Sequence, residues 1–132
     1  MATVEQVVSE DTRGISVLII EDDDAMSAVV HAWLGVDPRI VRVDQVGTVA
    51  AARKWLDGGS PDIVVLDHKL PDGNAADVLA DLRERGYDTA VVLHSSRADY
   101  ADLGQTLGCD AAVQKGDWAA LADQLLKLTP IT

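Results

Sequence analysis

The run Ile63-Val64-Val65-Leu66 ends on a lone carboxylate, Asp67, and the chain then breaks at Pro71 and Gly73. A short, unbroken apolar run bounded by turn residues is the pattern of a strand covered on both faces, as in a parallel sheet. Asp67 therefore falls at the carboxyl edge of a central strand, where open α/β sheets gather their chemistry. Read alone, the same aspartate also fits a turn starter, because its side chain bonds nearby backbone. The other strand ends decide between the two.

The same punctuation recurs along the chain. Ile15-Ser16-Val17-Leu18-Ile19-Ile20 stops at Glu21-Asp22-Asp23-Asp24, and residues 25–34 then carry helical spacing through Met26, Val29, Val30, Trp33 and Leu34 before Gly35. Residues 39–43 read as a second strand, 48–56 as an alanine-rich helix stopped by Asp57-Gly58-Gly59-Ser60-Pro61, and 62–67 as the central strand. Beyond the break, residues 75–85 read as a helix ended by Gly86, 89–94 as a strand, 97–107 as a helix, 111–114 as a short strand and 117–128 as a last helix. Strands and helices alternating through short loops require a parallel sheet with helices on both faces.

At 132 residues the chain holds one domain with a core of its own. Residues 14–128 carry the pattern; residues 1–13 read as a polar lead-in and a candidate for disorder, and residues 129–132 as a tail or the start of a linker. The 22 acidic against 11 basic side chains leave a formal charge of -11, which repels phosphate backbones and argues against direct nucleic-acid binding. One cysteine, Cys109, permits no internal disulfide and reads as a small, semi-buried residue. With no span long enough for a membrane and no signal-peptide pattern, a cytoplasmic location is expected.

In a parallel sheet the carboxyl ends of all strands share one rim. That rim receives Glu21 and Asp22, Asp67, Ser95 and Ser96, and Lys115. Crowded carboxylates repel one another unless a cation intervenes, and a hard ion that keeps its waters, Mg²⁺, suits them. Lys115 and a serine hydroxyl can meet phosphoryl oxygens, so the set is that of a phosphoryl-transfer site. The plainer roles are helix capping for Glu21 and Asp22, which Asp23 and Asp24 are expected to fill, and a surface position for Lys115. His31, His68 and His94 have no ligand spacing among themselves, and Trp33, Trp55 and Trp118 read as packing residues.

Four segments in this order resemble the receiver domain of two-component response regulators: Val17-Leu18-Ile19-Ile20-Glu21-Asp22-Asp23, Val64 through Gly73, Val91-Val92-Leu93-His94-Ser95-Ser96 and Val113-Gln114-Lys115. The resemblance implies a flavodoxin-like, doubly wound five-stranded parallel sheet in the order 2-1-3-4-5. It implies that Asp67 is the phosphoacceptor, that Asp22, Asp67, Glu21 through water, and the backbone carbonyl of Lys69 hold Mg²⁺, that Lys115 pairs with the phosphoryl group, and that Ser95 swings toward it. A sensor histidine kinase or histidine phosphotransfer domain would be the donor. A downstream protein or an output domain would read the state, and the face of the fourth helix, fifth strand and fifth helix offers a homodimer surface. The chain would act on itself without being an enzyme of another substrate.

Three positions depart from that family. Gly116 follows Lys115 where the family has proline, Ala75 stands for a common glycine, and Ala112 stands where an aromatic ring usually turns inward with the serine or threonine. With alanine there, the signal to the face of helix 4, strand 5 and helix 5 is expected to be weaker or to use another residue, with Tyr100 a candidate. Two other classes compete: a receiver-like binding module that works without phosphorylation, and an aspartyl-nucleophile phosphohydrolase. The second needs an acid/base aspartate two residues after the nucleophile, and Lys69 occupies that place.

Overall fold

Ile63–Asp67 forms the middle strand, β3, and its apolar residues are almost fully covered, as their lack of alternation requires. Counting the five long strands in chain order, β1 is Ile15–Ile20, β2 Ile40–Val46, β4 Ala90–Ser95 and β5 Ala111–Gln114. They form one sheet in the order β2-β1-β3-β4-β5, and every pairing is parallel. This computed structural model describes residues 14–128; the expected lead-in and tail lie outside the described residues. The doubly wound order expected above is the one observed.

Helices α1 (Asp24–Leu34) and α5 (Trp118–Leu128) cover one face, with Val30, Leu34, Leu121 and Leu125 packed on Val17, Ile19, Ile63, Val65 and Val92. Helices α2 (Val49–Leu56), α3 (Ala75–Glu84) and α4 (Tyr100–Leu107) cover the other, over Leu18, Ile20, Val64, Leu66, Val91 and Leu93. Each such side chain contributes about 1.5–3 kcal/mol when removed from water, so the two helical layers together hold the sheet between them. Asp23 caps α1 by accepting from the backbone N–H groups of Ala25 and Met26, as expected of the acidic run.

Several boundaries differ from the sequence reading. Strand β2 runs on to Val46 because an edge strand tolerates polar residues that find partners: Asp44 accepts from Trp55 Nε1, and Gln45 Nε2 donates to the Glu21 carbonyl. Helix α4 starts at Tyr100, three residues later than its apolar spacing suggests, because Arg97 bonds locally to Asp99 and to the Ser95 hydroxyl. After β3, Lys69–Leu70 and Gly73–Asn74 pair as a small antiparallel ribbon that the pattern did not disclose. Trp33 does not pack inward; it is 41% exposed on α1.

Candidate functional site

The pleat decides which strand-end side chains meet. Val17 and Ile19 on β1, Ile63 and Val65 on β3, and Val113 on β5 all face the α1/α5 side. Two residues further along each strand, the same face receives Glu21, Asp67 and Lys115. Register completes the alignment: Ile20 lies opposite Leu66, so Glu21 and Asp67 follow side by side. His94 lies opposite Asp67.

The three residues make a charge cluster at the sheet's rim. Lys115 Nζ stands 2.9 Å from Glu21 Oε1 and 3.2 Å from Asp67 Oδ1, with its side chain largely covered. Glu21, Asp22 and Asp67 each present a carboxylate oxygen within 4.8 Å of the others. Burial, reinforced by the neighbouring Asp67 and only partly opposed by Lys115, pushes the Glu21 carboxyl up to about 7. Burial acts against the Lys115 ammonium, yet its bonds to Glu21 and the charge of Asp67 prevail and raise it. Three carboxylate oxygens this close together are a donor set that fits a hard cation with oxygen preference.

Around this cluster the surroundings are dry on one side and open on the other. His94 is 2% exposed, its ring 5.7 Å from that of Trp118, and burial together with Lys115 lowers it to about 4, so it is a neutral structural residue. Asp22 is exposed, and Asp67 and His68 are half-covered. Ser95 is buried on the opposite face from Asp67 by the pleat, and its hydroxyl accepts from the Arg97 backbone N–H at 3.1 Å, whereas Ser96 is exposed. The structure thus brings Glu21, Asp22, Asp67 and Lys115 together, with Ser95 at the adjoining rim and Lys69 on the ribbon.

Sequence reasoning missed Asp72. Its carboxylate accepts from the backbone N–H groups of Val49 at 2.7 Å and Ala50 at 3.0 Å, which holds it below the usual carboxylate range. Nothing local could have shown this, since the partners lie 22 and 23 residues away. At Gly104 a Cβ would come within 2.6 Å of the Ala112 Cβ, so α4 lies directly against β5 at Ala112, the position where the resemblance implies an aromatic ring. The bond between Lys115 and Gly116 is trans, as are all peptide bonds among the described residues, and Gly116 has φ +96°.

Comparison with known proteins agrees with this geometry. Residues 17–115 match the family model described as "Response regulator receiver domain". A 94-residue stretch, 70% of this chain, is 33% identical to the DNA-binding transcriptional activator DevR/DosR of Mycobacterium tuberculosis and covers 43% of that protein. A 98-residue stretch is 24% identical to the transcriptional regulatory protein DpiA of Escherichia coli, covering 74% of this chain and 43% of that protein. The chain therefore spans less than half the length of these relatives. In fold, it superposes on the signal receiver domain of a Luxo repressor protein from Vibrio parahaemolyticus with TM-score 0.77 at 21% identity, over 87% of this chain and 89% of the other. The "BeF3 Activated DrrB Receiver Domain" gives 0.72 at 22% identity, over 87% and 97%.

Proposed function

The chain belongs to the response regulator receiver domain family, and on that premise we propose that it is a phosphoacceptor switch whose residues 14–128 form the working unit. Asp67 takes the phosphoryl group of a phosphohistidine on a sensor kinase or phosphotransfer domain. An Asp67 carboxylate oxygen forms the new O–P bond while the P–N bond breaks, and the electron pair stays on the imidazole nitrogen, which is then protonated. The observation that carries this reading is the Lys115 ammonium bridging Glu21 and Asp67 at the sheet's carboxyl edge.

Asp22, Asp67, Glu21 and the Lys69 carbonyl would hold Mg²⁺, which supplies charge neutralisation for the transferring group. Lys115 holds the group's equatorial charge, and burial of the cluster on the Trp118 side keeps water from that face. Ser95 releases the Arg97 N–H and donates a hydrogen bond from its hydroxyl to a phosphoryl oxygen. With Ala112 in place of a ring, the state is passed on through the Ser96–Asp99 segment and Tyr100, and less through β5.

No helix among the described residues is long and apolar enough to cross a membrane, and a cytoplasmic site of action suits a kinase partner. The chain modifies only its own aspartate, and the readers are a downstream protein or an output domain, with dimerisation through α4, β5 and α5. The test is intact-protein mass after incubation with acetyl phosphate, with and without Mg²⁺. One added phosphoryl group that needs both Mg²⁺ and Asp67 supports the reading. No adduct with an unspent donor would leave a binding module, and donor consumption without an adduct a hydrolase.

A further inference from the structure

Helix α2 begins with free N–H groups at its first residues, as every helix does. Its own cap, Thr48, accepts only from Ala51. The two earlier donors, Val49 and Ala50, are taken by the exposed carboxylate of Asp72, which sits in the loop after the acceptor. That loop is held at two further points: the His68 carbonyl accepts from Ala75 N–H at 2.9 Å, and Lys69–Leu70 pairs with Gly73–Asn74. Gly73 closes the packing, since a Cβ there would come within 2.9 Å of Val49 and 2.6 Å of an Asp77 carboxylate oxygen.

We propose that Asp72 is a positioning residue that makes the start of α2 and the metal-facing loop one mechanical unit, fixing the Lys69 carbonyl for Mg²⁺. The inference rests on the receiver reading. A backbone carbonyl has no rotamers of its own, so its direction is set wholly by what ties the loop down. Asp72 supplies the tie that reaches outside the loop and α3. Coupling is reciprocal, so Mg²⁺ steadies the first turn of α2, and a partner bearing on α2 alters Mg²⁺ affinity.

The experiment is an NMR titration of the full chain with MgCl₂, comparing wild type with Asp72→Ala, Asp72→Asn and Thr48→Ala. Asp72→Ala is expected to weaken Mg²⁺ on the order of tenfold, the low end for lost support of a metal ligand. Asp72→Asn, which keeps one acceptor oxygen, should lose less, and Thr48→Ala should stay within about twofold while lowering Tm. Mg²⁺ should slow hydrogen exchange at the Val49 and Ala50 amides in wild type and not in Asp72→Ala. Wild-type affinity in both Asp72 variants overturns the proposal, as does an equal loss in Thr48→Ala, which would trace the effect to helix stability. If Asp72→Ala fails to fold, Asp72→Asn decides. Absence of Mg²⁺ binding by wild type overturns the receiver reading as well, which sets that failure apart.

Discussion

The two loops that flank the candidate site are built differently. The one after β3 is bonded to α2 through Asp72, to α3 through the His68 carbonyl and to itself through the small ribbon. The one after β4 is tied at its entry, where the Lys115 N–H donates to the Ser95 carbonyl at 2.8 Å. Beyond Ser95, the hydrogen bonds and ion pairs of residues 96–99 among the described residues are with near neighbours: Arg97 N–H to the Ser95 hydroxyl, Arg97 to Asp99, and Tyr100 N–H to the Arg97 carbonyl at 3.3 Å. Its helix starts on Asp99 without a side-chain cap. Long-range bonds leave a loop few alternatives, whereas an exchange of local bonds costs little. A site that must hold an ion on one side and report its state on the other benefits from that asymmetry.

The largest expected effect concerns the held side. Asp67→Ala should abolish phosphoryl incorporation while leaving the circular dichroism spectrum intact, because the residue lies at the rim outside the core; residual labelling at another carboxylate would break the assignment. On the reporting side, beryllofluoride or phosphorylation should shift backbone resonances of residues 96–100 far more than those of residues 72–74. A reversed ranking would overturn the comparison.

Next in size, Gly104→Ala should cost about 1–3 kcal/mol by overpacking against Ala112, even though alanine favours helix. Adding Ala112→Gly should recover part of that loss in urea denaturation, and strict additivity would show that the two residues do not share the space. The remaining effects are pH linkages.

His94, lowered to about 4 from an ordinary 6.5, contributes stability that is present above pH 6.5 and is lost as pH falls through about 4. Glu21, raised to about 7 from 4.5, contributes stability present below 4.5 and lost as pH rises through about 7. Tm against pH should therefore flatten on the acid side in His94→Gln and on the neutral side in Glu21→Gln. Unchanged profiles would remove both assignments.

Much of the fold was legible because burial writes a period into the chain. Unbroken apolar runs marked β1, β3 and β4 as covered on both faces, and helical spacing marked α1, α3 and α5. Asp23 was readable as a cap, whereas the Ser95–Ser96 doublet left the register open by one residue, with the apolar run before it favouring Ser95; in the structure Ser95 is buried and Ser96 exposed. The start of α4 was not readable, because Arg97, Ala98 and Asp99 are as compatible with a helix as with the local bonds they make. Trp33 misled for a related reason: helical spacing gives a face, and the edge of that face is settled by neighbours.

Local chemistry thus specified which residues stand at the strand ends and how the chain alternates, since both follow from side-chain polarity and a fixed repeat. Tertiary structure alone placed Lys115 between Glu21 and Asp67, seated Gly104 on Ala112, and tied Asp72 to α2. Each of these joins parts of the chain well separated in sequence. Such a contact depends on register and helix placement, and those are set by the packing of the whole sheet.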